Sequence, residues 1–132
     1  MDFLLDTNFL IGLWRQPQQG PEVDFLEAHP DSVLALPWIA KGEFLAGAAV
    51  ANRDVTRVMR FLAQYPLVLP NEATLGIYAN RYAALRKARK TVGINALWIA
   101  ASAIQHQLPL LTRNVRELSR VAGLDVLDYA AE

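Results

Sequence analysis

The chain contains no cysteine. That excludes a disulfide scaffold, a thiolate metal centre and a cysteine nucleophile. Histidine is nearly as scarce: His29 and His106 are the whole supply, which leaves little for a histidine-based metal site. Hydrophobic residues make up 53% of the chain, yet no apolar run approaches the about 18 residues of a membrane span. The candidate around Ala46 to Ala51 is short and mostly alanine. The N-terminal residues carry neither a basic stretch nor a cleavage-site pattern, so no signal peptide is expected. These absences predict a cytoplasmic globular protein with no membrane partner, folded as a single domain over residues 1–132.

Acid is absent where it would be most noticed. The net charge is zero, which argues against a generic nucleic-acid binder. Between Ala73 and Arg116, however, there is neither Asp nor Glu, while Arg81, Arg86, Lys87, Arg89, Lys90, Arg113 and Arg116 all fall there. The acids lie before and after. Once folded, such a chain can set a positive flank beside an acidic site, which suits a polyanionic substrate held on metal ions. A solvated helix face around Arg86 to Lys90 accounts for the same charges equally well.

What is present alternates. Short apolar runs at Asp2–Leu5, Val33–Leu36, Leu67–Leu69, Leu108–Thr112 and Asp125–Asp128 read as buried strands bounded by Pro, Asn and Gly. Helical patterns lie between them. One covers Glu22–His29, and a second starts near Pro37 and runs to Ala51. A third covers Asp54–Tyr65, with Val55, Val58, Met59 and Leu62 on one stripe. A fourth starts at a cap on Asn71 and groups Leu75, Tyr78, Tyr82 and Leu85; a fifth is expected to be capped by Asn95. A short last helix, Asn114–Val121, is closed by Gly123. Strands spaced by helices predict a three-layer α/β sandwich with a short, mostly parallel central sheet of four to five strands. In such sheets ligands collect beyond the carboxyl ends of the strands.

Three features stand at that edge. Asp6 ends the first strand, followed by Thr7 and Asn8, which can hydrogen-bond locally and start a helix; a plain strand-to-helix turn would also use these residues. Glu43 lies in a helix expected to be largely buried among Trp38, Ile39, Leu45 and Ala46. A lone acid there wants a metal or a cation, and Lys41, two residues away on a helix, points elsewhere. After the fourth strand, Thr112 and Asn114 offer neutral oxygens.

The segments "LLDTNFLIGL", "GEFLAG", "GINALWIAASA" and "LPLLTRNVRELSRVAGLDVLDY" resemble the PIN-domain family, in particular the VapC-type toxins of toxin–antitoxin pairs. The likeness runs over nearly the whole chain in the expected order. It implies a Mg²⁺- or Mn²⁺-dependent ribonuclease, with acids at the carboxyl edge of the sheet holding the metal for attack of water on an RNA phosphodiester. Asp6 matches the first acid and Glu43 the second. Thr7 and Asn8 match the polar pair that steadies the first acid, and Thr112 and Asn114 match the polar positions after the fourth strand, where some relatives carry Asp at the place of Asn114. The chemistry agrees: hard divalent cations take oxygen ligands, and Mg²⁺ keeps several waters while using one or two carboxylates.

The pattern breaks at Ala96. The family usually supplies a third acid three residues before the Ile of its "IAA" run; Ile99 is that Ile, so the position is Ala96. Asn95 points in another direction on a helix. Two formal charges in place of three predict weaker metal binding. The carboxylate was deliberately removed, or the protein is a weak or inactive natural member, or Asn114 with waters completes the site; the intact motif set elsewhere favours the first.

The resemblance also implies an antitoxin of the VapB type and a homodimer. The aromatic and sulfur side chains Trp14, Trp38, Met59, Phe61, Tyr65, Tyr78 and Tyr82 are plentiful, and the helices around Phe44 and Phe61 can form an apolar groove, although ordinary core packing explains most of them. Arg86, Lys87, Arg89 and Lys90 are candidates for RNA phosphate contact. Two rival functions remain: a catalytically inactive PIN-fold module that binds RNA or protein, and a receiver-like domain with Asp6 as phosphoryl acceptor, which lacks the acidic cluster and lysine placement such domains show.

Overall fold

The computed structural model describes residues 1–130; residues 131–132, the end of the expected 1–132 domain, lie outside the described residues. Its elements are β1 (Phe3–Leu5), α1 (Thr7–Arg15), α2 (Pro21–Ala28), β2 (Leu34–Pro37), α3 (Trp38–Val50), α4 (Val55–Leu62), β3 (Leu67–Val68), α5 (Glu72–Lys87), α6 (Ile94–His106), β4 (Leu110–Leu111), α7 (Val115–Leu118) and β5 (Val126–Leu127). The strands form one five-stranded sheet in the order β3-β2-β1-β4-β5, and each pairing is parallel. Helices flank the sheet in the expected three-layer arrangement. Leu4, Leu5, Ala35, Leu36, Leu110 and Leu111 are fully buried, as strands covered on both faces must be.

The strand order fixes where a site can form. The chain steps outward from β1 through β2 to β3, then crosses to the other side of β1 for β4 and β5. The order reverses between β1 and β4, and that switch point is where such sheets open a crevice beyond their carboxyl ends. The register there is Leu4 against Leu110 and Leu5 against Leu111. The ladder continues one residue further, with Asp6 N–H donating to Leu111 O at 3.1 Å. Asp6 is therefore held by the sheet itself.

Helix α1 starts at Thr7 as expected, capped by Asp6, whose carboxylate accepts from Thr7 N–H. Several other local expectations need correction. Pro37 closes β2 as well as capping α3. Helix α6 starts two residues earlier than a cap at Asn95 implies: Gly93 is its cap and Asn95 lies inside its first turn. On α4, Val58 and Leu62 are buried, but Val55 and Met59 are exposed at 70% and 42%, because only one edge of the stripe reaches the core. On α5, Leu85 is buried while Leu75 and Tyr82 are exposed. Helix α3 is not largely buried: Ala40, Phe44 and Ala48 face the core at i, i+4 and i+8, and Glu43 stands on the open side. Helix α7 is a single turn that ends at Leu118, with Gly123 at φ 80 turning the chain afterwards.

Candidate active site

A cavity of about 280 Å³ opens at the switch point, lined by Asp6, Thr7, Asn8, Glu43, Ala96 and Asn114, with Ile11 and Ile99 as its apolar wall. The lining comes from separate elements, with Thr7 and Asn8 on α1. Asp6 follows β1, Glu43 sits on the second turn of α3 after β2, Asn114 follows β4, and Ala96 is on the first turn of α6. Six of the residues singled out in the sequence are thus brought together.

The acids are held by hydroxyls and backbone. Thr7 N–H donates to Asp6 Oδ1 at 2.7 Å, and Thr112 Oγ1 donates to Asp6 Oδ2 at 2.7 Å. The Thr7 hydroxyl does not reach Asp6; it donates to Glu43 Oε1 at 2.9 Å, tying α1 to α3. Thr112 is fully buried beneath the cavity and accepts from Asn114 N–H at 2.9 Å. Asn8 is exposed on the rim. Among the described residues no cationic side chain lines this cavity. Burial raises the Asp6 carboxyl above its ordinary 3.8, against the opposing pull of the Thr112 and Thr7 hydrogen bonds; the charges of Glu43 and Glu117 push it further up. Desolvation and like charge outweigh two good hydrogen bonds.

Glu117 is the site residue that the sequence reading missed. It stands on α7, three residues after Asn114, whose Nδ2 donates to Glu117 Oε2 at 2.8 Å. Its Oε1 accepts from Gly93 N–H, the cap of α6, at 2.6 Å. The Asn114 bond first, then the Gly93 bond, hold its carboxyl below the ordinary 4.5. The available signal was its place as the acid that ends the acid-free stretch, one helical turn beyond Asn114.

The donor set suits a hard divalent cation: two carboxylates face one cleft with neutral oxygens beside them and no counter-charge. It is a sparse set, however. Among the described residues no three His, Cys, Asp or Glu side chains converge as a ready cation cage. The Ala96 methyl occupies the wall where a third acid is expected, and Glu117 is turned toward Gly93 and Asn114. The four cations Arg86, Lys87, Arg89 and Lys90 are exposed at the end of α5 and in the turn into α6.

An apolar groove adjoins the cleft. Trp14 stands between two cavities, one lined by Ile11, Glu43, Phe44, Ala48 and Arg53, the other by Leu13, Pro17, Arg57, Arg60 and Phe61. Its ring lies edge-on to Phe61 at 5.2 Å and to Phe44 at 5.7 Å. The guanidinium carbons of Arg57 and Arg53 lie 4.9 and 5.7 Å from its centroid. Glu43 lines the first cavity and the cleft alike.

The fold and the site define a parallel α/β domain with an acid-lined cleft at its switch point. The PIN domain model matches residues 3–124. The chain is 30% identical over 139 residues to ribonuclease VapC1 of Rickettsia felis, covering 100% of this chain and 99% of that protein. The chain therefore belongs to the PIN-domain family, among its VapC-type members. Its fold superposes on VapBC-1 of nontypeable Haemophilus influenzae with a TM-score of 0.85 at 25% identity, covering 99% of this chain and 100% of that one. A toxin–antitoxin complex from Klebsiella pneumoniae gives 0.73 at 26% identity, covering 97% and 98%. No helix among the described residues is long and apolar enough to cross a membrane.

Proposed function

We propose that this protein is a Mg²⁺- or Mn²⁺-dependent endoribonuclease acting as the toxin of a VapBC-type pair in the cytoplasm, and that its catalysis is impaired at Ala96. The observation that carries the reading is the pair Asp6 and Glu43: each carboxylate takes a threonine hydroxyl, both face one cleft, and no side-chain cation in that cleft neutralises them. Asp6 and Glu43 would hold the cation, with Asn114 as a neutral donor. When bound, the cation supplies charge neutralisation at the phosphate and an acidified water. The chain's own groups do the rest. Thr112 and Thr7 orient the two carboxylates, and Glu117 fixes Asn114 and the start of α6. The exposed cations Arg86, Lys87, Arg89 and Lys90 supply non-specific attraction to the RNA backbone.

Partners follow from the relatives and from the surface. The groove around Trp14, Phe44 and Phe61 suits the apolar face of an antitoxin segment, and its shared wall at Glu43 would let that segment cover the cleft. Trp38 and Trp98 meet edge-on at 5.8 Å, and Trp98 and Tyr78 stack at 3.7 Å, on the half-buried face of α3, α5 and α6. That face suits a second copy of the chain in a homodimer.

The alternative is a catalytically inactive PIN-fold module that binds RNA or protein; the alanine at position 96, with no third acid lining the cleft among the described residues, favours it. Cleavage of a mixed RNA substrate by the chain and by Ala96→Asp, with Mg²⁺ or Mn²⁺ and with a chelator control, separates the two. Cleavage by the Asp form alone, stopped by chelator, supports an impaired nuclease. Equal cleavage by both contradicts the role given to residue 96. No cleavage by either supports the binding module.

A further inference from the structure

The segment joining α5 to α6 is fixed more firmly than a connecting turn requires. Helix α5 ends in paired bonds, Arg89 N–H to Arg86 O at 3.2 Å and Lys90 N–H to Leu85 O at 2.9 Å, the pattern of a Schellman ending. The residue in the left-handed region is Arg89, at φ 55, where glycine carries no Cβ penalty. A cation is retained at a position whose backbone favours glycine. The chain beyond it is held from α7 and the turn that follows. Arg120 Nη1 donates to Thr91 O at 2.7 Å, and Gly93 N–H donates to Glu117 Oε1. Glu117 in turn holds Asn114, which lines the cleft. Both ends of this turn are therefore anchored, and its far anchor leads in two hydrogen bonds to Asn114 in the cleft wall, and through Thr112 in two more to Asp6.

We infer that Arg120 is a positioning residue for the RNA substrate: by holding Thr91 O it sets the cations of the 86–90 turn in a fixed place relative to the Asp6–Glu43 cleft, so that phosphates flanking the cleft meet them in register. The inference rests on the proposal that RNA is the substrate. Its physical basis is preorganisation. Arginine and lysine side chains are costly to order, and a turn whose backbone is already fixed loses less entropy when they engage phosphates. Ordinary phosphate contacts give binding a salt slope of about 0.7 per contact on a single strand.

Arg120 is itself exposed, so a direct phosphate contact is the competing explanation, and a double-mutant cycle separates them. The probe is a fluorescein-labelled single-stranded RNA of mixed sequence, titrated in chelator between about 50 and about 200 mM salt. Arg120→Ala is expected to weaken binding about three- to tenfold and to flatten the salt slope, while Arg120→Lys restores most of both. Arg89→Ala/Lys90→Ala is expected to weaken binding too. The deciding quantity is the combined variant. If Arg120 acts through the turn, its removal adds little once those two cations are gone; if it contacts phosphate itself, the two effects add in full and the inference is overturned. Parent-like binding by Arg120→Ala also overturns it. Parent-like binding and slope in Arg89→Ala/Lys90→Ala instead remove the RNA-rim reading beneath it.

Discussion

Thr112 Oγ1 donates a 2.7 Å hydrogen bond to Asp6 Oδ2 across 106 residues of sequence. The same hydroxyl accepts from Asn114 N–H. One fully buried oxygen therefore joins the carboxyl ends of β1 and β4 and orients two sides of the cleft.

Thr112→Val keeps the shape and removes that oxygen. It leaves a carboxylate oxygen and a backbone N–H without their partner, a loss of about 1–3 kcal/mol. A lowered urea midpoint with an unchanged slope is the expected result, and Thr112→Ser should recover most of it. An unchanged midpoint would contradict the role given to this hydroxyl.

Asp6 carries a pH dependence of unusual sign for a carboxylate. Its folded pKa lies above the ordinary 3.8, first because of burial, with Glu43 and Glu117 adding to it. The folded chain thus binds this proton more tightly than the unfolded one. Its effect on stability is most favourable when it is protonated, and is lost as pH rises from the ordinary value through the folded value. Glu117 runs the other way: held below 4.5 by Asn114 and Gly93, it stabilises above that value and loses its contribution as pH falls through the lowered one. Asp6→Asn is expected to be more stable than the parent at neutral pH without divalent cation, with the gap closing on acidification. Denaturation at a series of pH values checks this; a variant less stable than the parent at neutral pH contradicts it.

Arg89 occupies a left-handed position that costs a non-glycine residue about 1 kcal/mol. Arg89→Gly should raise stability by no more than about 0.5 kcal/mol, net of the extra freedom glycine gains when unfolded. It should also weaken RNA binding. Thermal unfolding and RNA titration on one preparation test the trade; a loss of stability would show that the arginine makes compensating contacts.

The strands and the order of elements were readable because every strand of a doubly covered parallel sheet is a short apolar run, as at Leu4–Leu5 and Leu110–Leu111. Asp6, Glu43, Ala96 and Asn114 were readable through motif spacing, and they do share one cleft. Their partners were harder to read. The bond from Thr7 to Glu43 spans 36 residues, and no local pattern distinguishes it from the expected bond to Asp6. Glu117 gives little sign of its role in sequence because its partners, Gly93 and Asn114, are backbone and amide groups that carry no charge signal. Asn95 resembled a cap, yet Gly93 takes that place, its N–H held by Glu117. The exposure of Val55, Met59 and Glu43 was hidden because periodicity gives the direction of a stripe and not how far the core extends beneath it.

Asp6 and Glu43, as a two-carboxylate cation site weakened at residue 96, are the centre of the proposed function. The most direct measurement is Mn²⁺ binding by calorimetry to the chain, to Ala96→Asp and to Asp6→Ala. The account predicts weak binding by the chain, binding tighter by about tenfold or more in Ala96→Asp, equal to about 1.4 kcal/mol, and none in Asp6→Ala. Equal affinity in all three would contradict it.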